Sequence, residues 1–180
     1  MDWQPFFLNH NTPEEGEDMY EHLAHKYGPQ KAALFTKPNN PLDVAGSKVG
    51  ITFNPARRII RTADSHRLVE WCKETAPHKE DALMDTIFKA YFSDAKDLAK
   101  HAELVACATA IGLDGTECAS MLSSSRYVAE VNTKAKGWSS QGVNGVPFFV
   151  VHSNDPSRQP VAFSGAQPSE LIAEVLTDQA

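Results

Sequence analysis

Three thiols are the first side chains to suggest chemistry: Cys72, Cys107 and Cys118. A dithiol that makes and breaks disulfides needs two cysteines close in sequence, at a helix start that lowers the thiol pKa. These three are odd in number, widely spaced and form no Cys-x-x-Cys. No Cys/His cluster has zinc spacing either. Small core residues on helices are the plainer reading. Cys118 lies four residues after Asp114, and an acidic neighbour raises a thiol pKa rather than lowering it. His22 and His25 share a helical face but lack a third ligand, so a solvated face is expected. Arg57, Arg58 and Arg61 form a small basic patch in an acidic chain, again most simply solvated. His66 and Arg67 read as a helix-surface pair or a packed histidine.

A backbone feature is more informative than any of these. In GVNGVPFFVV, residues 142–151, a short apolar run fit for a buried strand carries Pro147 at its entrance. Proline gives no N–H to a sheet ladder and belongs at edges, bulges or first positions. Pro147 is therefore either a trans proline opening a strand or a cis proline in a tight turn. In the second case the bend frees the N–H and carbonyl of Val146 from the sheet.

The elements that must position this turn follow from pattern. The chain has 180 residues, 42% apolar and 22% charged, an ordinary globular composition long enough for one domain with a core. Its formal charge of −6 disfavours nucleic acid and anionic membrane surfaces. No apolar run approaches a membrane span, and residues 1–20 lack a basic-then-apolar leader pattern, so a soluble, cytoplasmic protein is expected. Aromatic and apolar residues predict a strand from Trp3 to Leu8. Thr12, Pro13 and Glu15 predict a helix running to about Tyr27 and stopping at Gly28-Pro29.

A short helix is expected over 42–49, and one from Thr62 to before Pro77. Another carries the doubled stripe Leu83, Ile87, Tyr91 and Met84, Phe88, Phe92, a helix buried on more than one side. Further helices span 98–111, closed by Gly112, and 114–122, opened by Asp114 with Glu117. The last of the run starts at Ser124–Ser125 and carries Val131 and Ala135. Strands at 147–152 and 161–164 around the turn Asn154–Ser157, then a helix over 168–176, complete the order. A helical subdomain between a front strand and a rear ββα unit is an α/β arrangement.

Taken together, DWQPFFLN, TPEEGEDMYEHLAHKYG, TADSHRL, GVPFF and SGAQP resemble, in that order, the DsbA-like thioredoxin-fold family. The closest likeness is to its FrnE-type branch of dithiol–disulfide isomerases. The resemblance covers nearly the whole chain; GVPFF with SGAQP is its most specific part. Where that branch carries Asn, this sequence has Arg61 before Thr62. The resemblance implies a thioredoxin-like fold in a single domain over 1–180. Residues 1–12 would be the front strand, 142–180 the ββα unit, and about 13–141 a mainly helical insertion. It also implies a cis Pro147 facing the reactive site, with the Val146 backbone offered to an extended peptide or thiol. Ser164, Gly165 and Gln167 would lie where the last strand meets the last helix, whose N-terminus attracts a carboxylate. His66, with Arg67, would lie near the insertion's contact with the site.

The family's chemistry belongs to a Cys-x-x-Cys at a first strand and helix, and that motif is not in this sequence. A unit of roughly thirty residues, the usual size of a βαβ motif, would be absent. Incompleteness of the sequence is preferred over a natural loss, because GVPFF and SGAQP would otherwise line a site without a nucleophile. The expected function is that of a thiol–disulfide oxidoreductase or isomerase whose cysteine motif is missing here, acting on peptide or protein thiols and disulfides. The alternatives are a non-catalytic peptide- or protein-binding module and a glutathione-dependent isomerase or transferase of the kappa or 2-hydroxychromene-2-carboxylate isomerase type. Relatives of that last type carry Ser-Asp where this chain has Ala166 and Gln167. No cofactor is expected beyond a possible glutathione, whose carboxylate the arginine patch could meet.

Overall fold

A computed structural model describes residues 1–180. Eight α-helices precede, and one follows, a single hairpin that is the whole of the sheet structure: the order is α1 (Met19–Tyr27), α2 (Pro29–Thr36), α3 (Pro41–Ser47), α4 (Ala63–Thr75), α5 (Glu80–Phe88), α6 (His101–Ala110), α7 (Gly115–Leu122), α8 (Val128–Ser140), β1 (Phe148–Val151), β2 (Val161–Ser164) and α9 (Ser169–Gln179). A 3₁₀ turn, Pro77–Lys79, leads into α5, and a π-helical turn, Lys89–Ser93, leads out of it. No helix is long and apolar enough to cross a membrane.

The core lies in the middle of the chain. Seventeen buried residues between Ile60 and Leu122 form one cluster, with Leu68, Leu83 and Leu104 fully enclosed. Of the expected double stripe on α5, Leu83 and Ile87 are buried, but Phe88 is 40% exposed, so the second stripe only borders the core. The helices around it begin and end where their capping residues dictate. The Asp114 carboxylate accepts from the N–H groups of Thr116 and Glu117 at 2.8 and 2.9 Å. That satisfies two of the four free donors at the start of α7. Arg67, buried on α4, closes the other end of α7 by donating to the carbonyls of Met121, Leu122 and Ser124. It also pairs with Asp64 at 2.6 Å and reaches the Arg126 carbonyl. Arg67 is thus an internal clasp between α4 and the α7–α8 connection, and not a surface group.

The N-terminal half departs from the sequence reading in three places. Residues Trp3 to Leu8 are not a strand; they pair with no other strand. Their backbone groups are met by side chains instead. The Trp3 N–H donates to Glu80 Oε1 at 2.8 Å, Lys73 donates to the Trp3 carbonyl, and His66 Nε2 donates to the Phe6 carbonyl at 3.2 Å. Pro5 is fully buried beneath them. The first helix starts at Met19, not at Pro13, because Asp18 caps it through the N–H groups of Tyr20 and Glu21. Gly16 stops any earlier start. Its φ is +69°, and a Cβ there would stand 2.7 Å from the Ile59 carbonyl oxygen. Just beyond it, Glu17 and Ile59 form an isolated antiparallel bridge, each N–H donating to the other's carbonyl at 2.9 Å. Finally, Gly28-Pro29 ends α1 and also opens α2, with proline in the first turn.

β1 and β2 pair antiparallel in the register Phe148↔Ser164, Phe149↔Phe163, Val150↔Ala162 and Val151↔Val161. The cross-strand Phe149 and Phe163 rings stack with centroids 5.1 Å apart. α9 packs back on β1.

Candidate functional site

The turn into β1 is built by glycines and proline around one bend. The Val146–Pro147 peptide bond is cis. The Pro147 carbonyl accepts from the Gly165 N–H at 2.8 Å, which carries the ladder one step past the Phe148–Ser164 pair. Gly165 takes φ +79°, the left-handed region that glycine enters without penalty, so β2 can turn sharply toward α9. The Gln167 amide donates back to the Ser164 carbonyl at 2.7 Å and fixes that turn. Pro168 then sits at the cap of α9. Val146, Pro147, Ser164, Gly165 and Gln167 therefore gather at one end of the hairpin. Val146 is 53% exposed, and no protein group takes its backbone N–H or carbonyl.

His66 is held by a different segment. Its hydrogen-bond and ring partners are both on the N-terminal segment: the Phe6 carbonyl, and the Phe7 ring at 5.6 Å edge-to-face. Burial pushes its pKa down to about 4, with the Phe6 hydrogen bond opposing that shift. The ring is therefore neutral at pH 7, and the carbonyl partner places its proton on Nε2.

The cysteines are free and buried. Burial raises the pKa of all three, and Glu80 beside Cys72 and Glu103 beside Cys107 push the same way. The Cys118 thiol reaches about 11, from burial first and the neighbouring Cys107 second. The acidic cap at Asp114, which the spacing suggested as the cause, is not among its causes. Thiolates are the nucleophiles in disulfide exchange, and none of these groups is poised to be one. No group of three or more His, Cys, Asp and Glu side chains converges on a metal position. His22 pairs instead with Glu17 at 2.7 Å. Nor are the three arginines merely solvated: Arg58 donates to the Glu15 carbonyl, Arg61 to the Thr12 carbonyl and Arg57 to the Asn54 carbonyl.

Two features went unread in the sequence. One is an open cleft of about 530 Å³ between α1, α2 and the segment around Phe53, lined by Met19, Leu23, Phe35, Lys31 and Arg57 among others. The other is a charged cluster in which Glu70, 5% exposed, pairs with Lys134 at 2.6 Å and with Lys73 at 3.6 Å. Both arise where distant segments meet, which no local pattern reports.

A hairpin entered through a cis proline, a terminal helix folded back on it and a large helical block together define a thioredoxin-like α/β protein. The sequence matches the DSBA-like thioredoxin domain over residues 1–177, and the chain belongs to that family. Among solved structures it is similar to the probable DsbA oxidoreductase of Streptomyces coelicolor, with 26% identity and a TM-score of 0.80 over 97% of this chain and 72% of that one. A candidate protein disulfide isomerase from Nitrosomonas europaea shares the fold, with 18% identity and a TM-score of 0.64 over 79% of this chain and 74% of that one. No protein of curated function is significantly similar in sequence.

Proposed function

We propose that this chain is the substrate-holding part of a FrnE-type thiol–disulfide oxidoreductase or isomerase of the cytoplasm. Membership of a family that acts on thiols and disulfides supports the class of reaction. The observation that carries the reading is Val146, exposed, with its backbone N–H and carbonyl free at the end of the hairpin. An extended peptide bearing a cysteine or cystine pairs there by main-chain hydrogen bonds, which set geometry without dictating side chains. Ser164, Gly165 and Gln167 border the same end.

Exchange itself needs a thiolate that these 180 residues do not supply, since all three cysteines are buried with raised pKa values. The same burial favours a second reading, a binding module that holds thiol or disulfide peptides without turning them over. Backbone-amide NMR during titration with a short cystine-containing peptide tests the shared part of both. The amides of Val146, Gly165 and Gln167 are expected to shift first and saturate together. Shifts confined to α4–α8 would reject the proposal.

A further inference from the structure

The cleft between α1 and α2 has a chemistry of its own. Its volume of about 530 Å³ falls inside the range of roughly 300–1,000 Å³ typical of small-molecule pockets. Apolar side chains, Met19, Leu23 and Phe35 among them, form its floor and wall. Phe35 is 47% exposed, a large aromatic left facing an open cavity. The two cations in the lining, Lys31 and Arg57, are within ion-pair distance of no carboxylate, although the chain carries an excess of acids. The one acid in the lining, Asp43, is held by the Asn40 amide at 2.8 Å.

Arg57 is also held in place before any ligand arrives. Its guanidinium lies 5.9 Å from the Phe53 ring centroid and 5.5 Å from that of Phe92. Of its five N–H donors, one is used on the Asn54 carbonyl. A planar fork fixed against aromatic rings, with donors to spare, matches a carboxylate better than a neutral or cationic group.

We propose that this cleft is a binding site for a small amphipathic carboxylate, an acyl or aryl chain resting on Met19, Leu23 and Phe35 with its headgroup on Arg57 and Lys31. This site is separate from the hairpin and does not depend on the thiol–disulfide reading.

Three probes of one chain length isolate the headgroup: decanoate, decanol and decylammonium, each titrated into the full chain and followed by backbone-amide NMR. Decanoate is expected to saturate a single site, shifting the amides of Leu23, Phe35 and Arg57. Decanol should bind there several-fold more weakly, and decylammonium more weakly still. Arg57→Gln is expected to weaken decanoate about tenfold, the scale of a lost charge-assisted hydrogen bond. Lys31→Gln, at an exposed position on α2, should weaken it in the same direction with the amide spectrum otherwise intact. Equal binding of all three probes would overturn the proposal, leaving only apolar adsorption. So would decanoate shifts that map to the hairpin, or an affinity unchanged in both variants.

Discussion

The middle of the chain and its last forty residues solve the burial problem differently. Between Ile60 and Leu122 the helices enclose seventeen residues in one core, whereas all four residues of β1 remain partly exposed and no residue of the hairpin or α9 joins that cluster. On α9, Leu171 and Leu176 are 42% and 54% exposed. A two-stranded hairpin with one helix has too little apolar area to be stable by itself. Stability therefore resides in the helical block, and the free main-chain groups of Val146 reside in the hairpin. Binding surfaces are commonly drawn from such weakly buried parts, because a backbone that is to pair with a ligand must be left unpaired beforehand.

Substitutions can break that contrast, and the largest effect is expected at Arg67. Arg67→Ala strips the carbonyls of Met121, Leu122 and Ser124 of their donor and leaves Asp64 without its buried partner. A loss of about 4 kcal/mol is expected in denaturant unfolding, as for other broken buried pairs. Leu104→Ala, in the fully enclosed part of the core, should cost about 3 kcal/mol. In the hairpin, by contrast, Phe163→Ala removes one half-buried ring stacked on Phe149 and should cost only about 1 kcal/mol. A Phe163→Ala loss as large as that of Leu104→Ala would mean that the hairpin shares the core's stability.

The pH dependence sharpens the same comparison at the N-terminal segment. His66 has a folded pKa of about 4 against an ordinary value of 6.5. Between those values the unfolded chain binds a proton that the folded chain refuses, so stability rises with pH across that window. The contribution is present above pH 6.5, is lost as pH falls, and levels off below about 4. It amounts to about 3 kcal/mol for one group. Urea unfolding at a series of pH values should show this slope in the parent chain and a flatter one in His66→Gln.

Much of the fold is legible in the sequence, because its cues are local. The stops at Gly28 and Gly112, the Asp114 cap and the hairpin around Asn154–Ser157 each act within a few residues. Trp3–Leu8 has the residue types of a strand, yet a strand exists only by pairing. Here Glu80, Lys73 and His66, all distant in sequence, take its backbone groups. Pro13 and Asp18 both resemble helix starts, and the close approach of Ile59 to Gly16 decides between them. The gathering of Val146, Ser164, Gly165 and Gln167 could be read from motif order. His66 could not be placed, since its neighbours come from residues 6 and 7. The role of Arg67 depends on helices more than fifty residues away, and so was not legible at all.

Disulfide reduction by the chain itself tests the central claim most directly. With insulin as substrate and dithiothreitol as reductant, the 180-residue chain is expected to leave the rate at that of dithiothreitol alone. A thiol reagent should modify its three cysteines only after denaturation. Turnover above that background, or rapid modification of a cysteine in the folded chain, would contradict a substrate-holding domain whose own thiols are sealed in the core.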